Sequence, residues 1–525
     1  MLLKNFVGGQ WRSPQGEGQP LFDPVSGEPL VSVSAEGVDI GGALAYARET
    51  GGAGLAALNF AQRGELLGRI ADVLTAHRAD YFEISRRNAG ATEGDASFDV
   101  DGAIFTIKTY ARLARNLGDG RGFVEGGEIP LAKGGVFAAR HFLLPVSGVA
   151  VFINAFNFPA WGLWEKAAPA LLAGVPVFIK PATPTAWLAQ RMVEDVVAAG
   201  VLPAGAISIL CGSPRDLLDH VTESDVVSFT GSAHTAARLR THPNVVARSV
   251  RFNVEADSVN SAILGPDAGP GSAEFDLMVK EVVREMTVKS GQKCTAIRRV
   301  FAPREVARQL AGAVASRLGR VVVGDPADPE VRMGPLVSKA QQQAASEGLA
   351  LLREDAVVAH GGGQDFAPRA AAPAAGAFVQ PTLLYCEQPL SARHVHDVEI
   401  FGPVATVLPY DDEAGLVALV RRGRGSLVAS VYSGDAAFLQ RLVPAIADLH
   451  GRVMVVDAAV GSQHTGHGNV MPTCLHGGPG RAGGGEELGG LRALGFYLRR
   501  VVVQGPPSHL AALAANKVDA ALLGA

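Results

Sequence analysis

The chain has 525 residues, with 47 Lys+Arg against 51 Asp+Glu and a formal charge of −4. So near-neutral a balance argues against a protein that coats nucleic acid or an anionic membrane. Hydrophobic residues at 48% and charged residues at 19% suit a large core and exclude a disordered chain, and the length predicts roughly three domains or lobes.

The start, FVGGQW followed by DPVSGEPL, reads as short strands joined by a Pro/Gly turn at 23–28. Over 62–78 the apolar set Leu66, Ile70, Val73 and Leu74 has helical spacing, with Arg63, Glu65, Arg69 and Asp72 between. Around 127–147 two strand-like runs, VFAAR and HFLLPV, predict an extended arm. From 148 to 260 buried-strand runs recur at GVAVFI, VPVFI, AISIL and VVSF, with helical stretches such as 187–199 between them. This is the pattern of βαβ units on a parallel sheet, with ligands beyond the carboxyl ends of the strands. A second α/β region spans about 262–460 and includes RRVFA, VVVG and VATVLPY. A glycine-rich loop (477–490) and a last strand, FYLRRVVV, close the chain.

Four dispersed cysteines, Cys211, Cys294, Cys386 and Cys474, are too few for a disulfide framework and predict reduced thiols. The amino terminus lacks a signal-peptide pattern. The most apolar stretch, 146–164, is broken by Asn154, Asn157 and Pro159, which argues against a membrane span. A cytoplasmic location follows as the expectation. Gly478, Gly480 and Gly483 fit G-x-G-x-x-G, but no strand immediately precedes them and no long helix follows, so a tight loop is expected there.

Three segments, FNFPAW with Asn157, FNVEADSVN with Glu255, and SGQKCTA with Cys294, resemble the aldehyde dehydrogenase superfamily. KPA at Lys180, FTGS, MGPLVS, FVQPTLL and EIFGPV support the match, which covers nearly the whole chain. The resemblance implies an α/β aldehyde dehydrogenase fold, with a Rossmann-like cofactor lobe (1–126 and 148–261) and an α/β catalytic lobe (262–465). It also implies an oligomerisation arm (127–147 and 495–505), a substrate-side loop and return segment (466–494), and a homodimer or higher homo-oligomer.

In that family's chemistry Cys294 would attack an aldehyde, Asn157 and the Cys294 amide would hold the oxyanion, and Glu255 would be the general base. Lys293 beside Cys294 is expected to favour its thiolate, while Cys211 and Cys386 read as core residues. Ala256 and Asp257 depart from the family's customary Gly-Gly, and Ala236 from a later glycine. The cofactor-side positions are Ile153, Phe156, Lys180, Thr183, Gly212, Thr230, Gly231, Ser232, Ala256, Glu399 and Phe401. Thr183 stands where NAD-preferring members commonly carry a glutamate, so NADP is favoured over NAD.

The tail GSQHTGHGNVMPTCLHGGPGRAGGGEELGG resembles the subgroup acting on CoA-thioester semialdehydes from aerobic ring cleavage. The chain is expected to lack the hydratase domain fused in the phenylacetyl-CoA pathway. This favours the benzoyl-CoA-pathway substrate, 3,4-dehydroadipyl-CoA semialdehyde, with a phenylacetyl-CoA-pathway semialdehyde dehydrogenase or a general aldehyde dehydrogenase as the alternatives. No metal is expected: the spacing of His464, His467, Cys474 and His476 is not a standard zinc pattern. A CoA-acylating dehydrogenase, a silent scaffold and a cysteine hydrolase are the rivals; Glu255 argues against the first, and intact Cys294, Asn157 and Glu255 argue against the second.

Overall fold

The computed structural model describes residues 1–363, 366–372 and 374–524. Two seven-stranded sheets dominate it. In the first, Arg251–Glu255, Val226–Thr230, Ala150–Ile153, Val177–Lys180 and Ile207–Ile209 run parallel, and Asn5–Val7 with Gln10–Arg12 extend the edge antiparallel. Alternate side chains serve opposite faces. Ala150 and Phe152 join a core with helices Phe60–Ala76, Glu93–Ala114 and Trp161–Ala173, whereas Val151 packs with Ile40, Leu44 and Val245.

The second sheet has the order Val357–His360, Thr382–Tyr385, Val404–Tyr410, Ile297–Pro303, Asn260–Leu264, Ser426–Tyr432, His450–Val456, parallel except for its first strand. Its central strands are almost continuously buried because both faces are covered: Ile263 and Phe301 lie in one core and Ala262 and Val300 in another. A third sheet pairs Leu498–Gly505 with Ala138–Pro145, which pairs with Phe123–Pro130, and Val518–Asp519 adds to its far side. No helix among the described residues is long and apolar enough to cross a membrane.

Several local expectations change. VFAAR and HFLLPV merge into the single strand Ala138–Pro145, and its hairpin partner Phe123–Pro130 is hidden in sequence by Gly126, Gly127 and Pro130. VVVG makes only isolated bridges, Val323 with Met333 and Gly324 with Arg369. Arg63, expected on a polar helix face, is 2% exposed. Its guanidinium donates to the carbonyls of Leu55, Leu172 and Ala173, satisfying the end of helix Trp161–Ala173. Gly174, at φ +95°, leaves room for it: a Cβ there would lie 2.6 Å from the guanidinium carbon.

The glycine-rich tail is not a free loop. Leu475–Gly477 and Glu486–Leu488 form an antiparallel ribbon. A Cβ on Gly478 would stand 2.3 Å from the Ser426 carbonyl oxygen, and one on Gly483 2.3 Å from that of Val254. The segment is therefore pressed between a strand of each large sheet, and its glycines serve backbone approach rather than dinucleotide binding.

Candidate active site

Cys294 sits between the short 3₁₀ segment Val288–Gly291 and strand Ile297–Pro303. The loop before it is held by hydrogen bonds rather than regular structure. The Ser290 hydroxyl donates to the carbonyls of Gly334 and Pro335, the Lys289 amide donates to Asp95 at 2.7 Å, and Gln292 accepts from the Val337 amide. Asn260 donates to the Cys294 carbonyl at 2.7 Å and to that of Ala296 at 3.0 Å. These bonds support left-handed backbone at Lys289 and Ser290, φ +51° and +55°.

The expected help from Lys293 is not present. Its ammonium is buried and paired with Glu285 at 2.6 Å. Burial pushes the Cys294 thiol up, and the nearby Glu255 charge pushes it further. At rest the thiol therefore holds its proton, and a neighbouring carboxylate stands ready to accept it. Cys211 and Cys386 are buried as expected, and Cys474 is exposed.

Glu255 ends strand Arg251–Glu255 and is 2% exposed. Ala256 and Asp257 fit without turning it away. The Ala256 amide donates to the Ala482 carbonyl at 2.9 Å, and the Asp257 carboxylate accepts from the Ala233 amide at 2.9 Å. The Glu255 carboxylate meets His476 Nε2 at 3.2 Å, and one of its oxygens lies within 4.8 Å of the Cys294 sulfur. Burial alone would raise the Glu255 carboxyl, but His476, Lys166 and the thiol contact outweigh it and bring it down to about 2.

Behind this pair lies a buried ionic group that the sequence reading did not identify. Lys166 bridges Glu165 at 3.0 Å and Glu487 at 2.9 Å. Glu487 in turn accepts from Ser228 at 2.8 Å and Asn253 at 3.0 Å. The signal available was the Glu165-Lys166 pair, a helical turn and more past Asn157 inside an otherwise apolar helix.

Asn157 is buried in the segment before helix Trp161–Ala173, which Asp99 anchors by accepting from the Trp161 amide at 2.7 Å. Cys294, Glu255, Asn157, Asn154, Thr230 and His476 line one pocket, whose apolar wall is Phe158, Trp161 and Val470. The first five of these also line an adjoining cleft, so the two spaces meet at the thiol.

That cleft brings together Ile153, Phe156, Lys180, Thr183, Thr230, Gly231, Ser232, Ala256, Glu399 and Phe401. Gly212 does not line it: its α-carbon is packed against the backbone of Ser34 and Ala35, where a Cβ would stand 2.8 Å from the Ala35 nitrogen. Asp257, Asp397, Gln341 and Arg481 line the cleft without having been foreseen.

The lining suits a dinucleotide. Ser232 caps helix Ala233–Arg240, whose first amides favour phosphate, and Lys180 supplies a cation. Thr183 and Ser213 hydroxyls stand 3.2 Å apart. The buried Thr230 hydroxyl and both polar atoms of Asn154 have no hydrogen-bond partner among the described residues. Glu399 accepts from the Ser258 amide, and burial pushes its carboxyl up to about 7.

Among the described residues, His464, His467, Cys474 and His476 do not converge. His467 is buried against Ser430, and of the four only His476 lines the pocket.

A family model described as "Aldehyde dehydrogenase family" matches residues 11–502. The chain is 71% identical over 479 residues to 3,4-dehydroadipyl-CoA semialdehyde dehydrogenase of Aromatoleum evansii, covering 91% of this chain and 93% of that one. Betaine aldehyde dehydrogenase from Staphylococcus aureus in complex with NAD+ has a similar fold, with TM-score 0.84, 22% identity, and coverage of 96% of this chain and 95% of the other. A mutant of aldehyde dehydrogenase C from Pseudomonas syringae, complexed with NAD+ and octanal, gives TM-score 0.82, 23% identity, and coverage of 95% and 96%.

Proposed function

The chain belongs to the aldehyde dehydrogenase family, and we propose that it oxidises 3,4-dehydroadipyl-CoA semialdehyde to the corresponding acid with NADP. The substrate is argued from the name of the Aromatoleum evansii relative and the extent of its identity. The observation that carries the mechanism is the meeting of the Cys294 thiol and the Glu255 carboxylate where the pocket joins the cleft.

Glu255 takes the thiol proton as sulfur adds to the aldehyde carbon, giving a thiohemiacetal on Cys294. The Asn157 carboxamide and the Cys294 amide hold its oxygen; loss of one such donor costs about 10²–10³ in rate. A nicotinamide cofactor held in the cleft would supply the hydride acceptor, leaving the acyl group on Cys294 as a thioester. Glu255, having released the first proton, then deprotonates water for hydrolysis of the Cys294 thioester and returns that proton to the departing thiolate. The presence of this base favours water over free CoA as the acceptor of the acyl group.

Lys180 would hold the adenosine ribose, with Thr183 offering a hydroxyl instead of a carboxylate to a 2′-phosphate. Gly231, Ser232 and the first amides of helix Ala233–Arg240 would take the pyrophosphate. Ile153, Phe156 and Ala256 would line its path, and Glu399 and Phe401 would hold the nicotinamide ribose. The first large sheet and its helices act as the cofactor lobe, the second as the catalytic lobe, and the third sheet as the arm that joins copies of a cytoplasmic homodimer or larger assembly.

The deciding experiment compares a CoA-linked semialdehyde with a short free aldehyde at saturating NADP. Remote binding energy from the CoA handle should raise kcat/KM by at least about two orders of magnitude, or roughly 2.7 kcal/mol. Equal specificity constants would leave a general aldehyde dehydrogenase.

A further inference from the structure

The pocket holds more negative charge than its cofactor and substrate chemistry requires. Glu165, Glu255 and Glu487 present carboxylate oxygens within 4.8 Å of one another, all largely buried. Lys166 is the cation among them, bonded to Glu165 and Glu487. Three buried carboxylates against one ammonium would carry a net charge of −2 if all were ionised; burial already pushes the Glu165 carboxyl up, and an unpaired buried carboxylate relieves such repulsion by taking up a proton. A protonated Glu255 could accept a proton neither from Cys294 nor from water.

His476 enters this group from the ribbon strand Leu475–Gly477. Its Nε2 stands 3.2 Å from Glu255 Oε2, with the two side chains 6% and 3% exposed, while Glu255 Oε1 has no hydrogen-bond partner among the described residues. We infer that His476 is the positioning residue for Glu255: as an imidazolium it anchors one carboxylate oxygen and keeps the buried base ionised, leaving the other oxygen free for the thiol and water. On the same count the imidazolium would lower the local charge from −2 to −1.

The groups facing this pair are Glu165 and Lys166 from helix Trp161–Ala173, Glu487 from the partner ribbon strand, and Cys294 from its loop. Burial works against a charged imidazole, but Glu255, and behind it Glu165 and Glu487, raise it above its ordinary range. The surrounding carboxylates therefore favour the imidazolium form of His476 beside an ionised Glu255.

This inference rests on the reading of Glu255 as the base, and the two can fail separately. Hydride formation and deacylation are followed in single turnovers with NADP and hexanal from pH 5 to 9, for wild type, His476→Phe, His476→Gln, and Glu255→Gln. In wild type the acid limb should lie below this range, because the Glu255 carboxyl is held down to about 2; His476→Phe should bring the limb up into the range, slowing deacylation about tenfold or more at pH 5 and recovering it as pH rises. His476→Gln, which keeps a donor without the charge, should fall between, and an infrared carboxyl band absent from wild type should appear in His476→Phe and vanish in its Glu255→Gln double variant.

A purely structural role would lower the rate at every pH without moving the limb. Coincident pH profiles for wild type and both His476 variants, with Glu255→Gln still defective in deacylation, would overturn the inference alone. Undiminished deacylation in Glu255→Gln would overturn the reading beneath it. Should His476→Phe fail to fold, the limb measured in His476→Gln decides.

Discussion

Asp257 accepts a hydrogen bond from the Ala233 amide at 2.9 Å, so a carboxylate closes the first turn of helix Ala233–Arg240 beside the Ser232 cap. A negative charge thus stands where the helix would otherwise present its amides to phosphate. Asp257→Asn keeps an acceptor and removes the charge. It should tighten NADP binding about two- to fivefold, or roughly 0.4–1 kcal/mol, with the gain shrinking at high salt. Equilibrium titration by cofactor fluorescence at two ionic strengths measures it; unchanged affinity would show that the charge does not reach the phosphates.

Cys294→Ala should abolish oxidation while cofactor binding survives, because the nucleophile is lost and the cleft lining around Lys180 and Ser232 is untouched. The assay is NADPH formation beside a binding titration. Substantial turnover by this variant would rule out a cysteine mechanism.

Glu255→Gln should separate the two halves of the reaction. Acylation draws on the same group, so its rate falls too, but a burst of about one equivalent of NADPH should precede a much slower steady rate. A linear trace at the wild-type rate would assign the base elsewhere.

Thr183→Glu places a carboxylate beside Lys180 and the Ser213 hydroxyl. Like-charge repulsion with a 2′-phosphate, plus a lost hydrogen bond, should cost about 2–3 kcal/mol, or roughly 30- to 200-fold in NADP use. NAD use should suffer far less. Wild-type kinetics with both cofactors are the first check, since a clear NAD preference there refutes the idea.

Glu399 gives a pH signature. Burial pushes its carboxyl up to about 7, so it is neutral below that pH and a carboxylate above it. The carboxylate accepts ribose hydroxyls better, and cofactor affinity should therefore rise as pH passes through about 7. The folded state also holds this proton more tightly than the unfolded chain, so the group's contribution to stability falls as pH rises from the ordinary carboxyl range toward 7. Glu399→Gln should flatten both dependences, to be followed by titration and by thermal unfolding. An identical slope in the variant would point to another titrating group.

The parallel sheets were legible in sequence because buried strands are short apolar runs, as in GVAVFI and AISIL. The arm strand Phe123–Pro130 was not, since its glycines and proline imitate a loop, and its stability comes from the pairing with Ala138–Pro145. Cys294, Glu255 and Asn157 were legible through motif resemblance. What lies next to them was not. Lys293 is adjacent to the thiol along the chain but turns to Glu285, whereas His476, far away in sequence, meets Glu255. Linear neighbours predict electrostatics poorly wherever a loop reverses direction at each residue, as it does at Lys289 and Ser290.

The ribbon of the glycine-rich tail carries His476 on one strand and Glu487 on the other. The stretch that sets this chain's substrate subgroup apart in sequence is thus also the stretch that sets the ionic surroundings of its base. Exchanging it between relatives to graft a new substrate preference would transplant a proton-transfer setting with it. A chimera built that way should be judged first by its pH optimum and only then by its choice of aldehyde, because the two traits are inherited together.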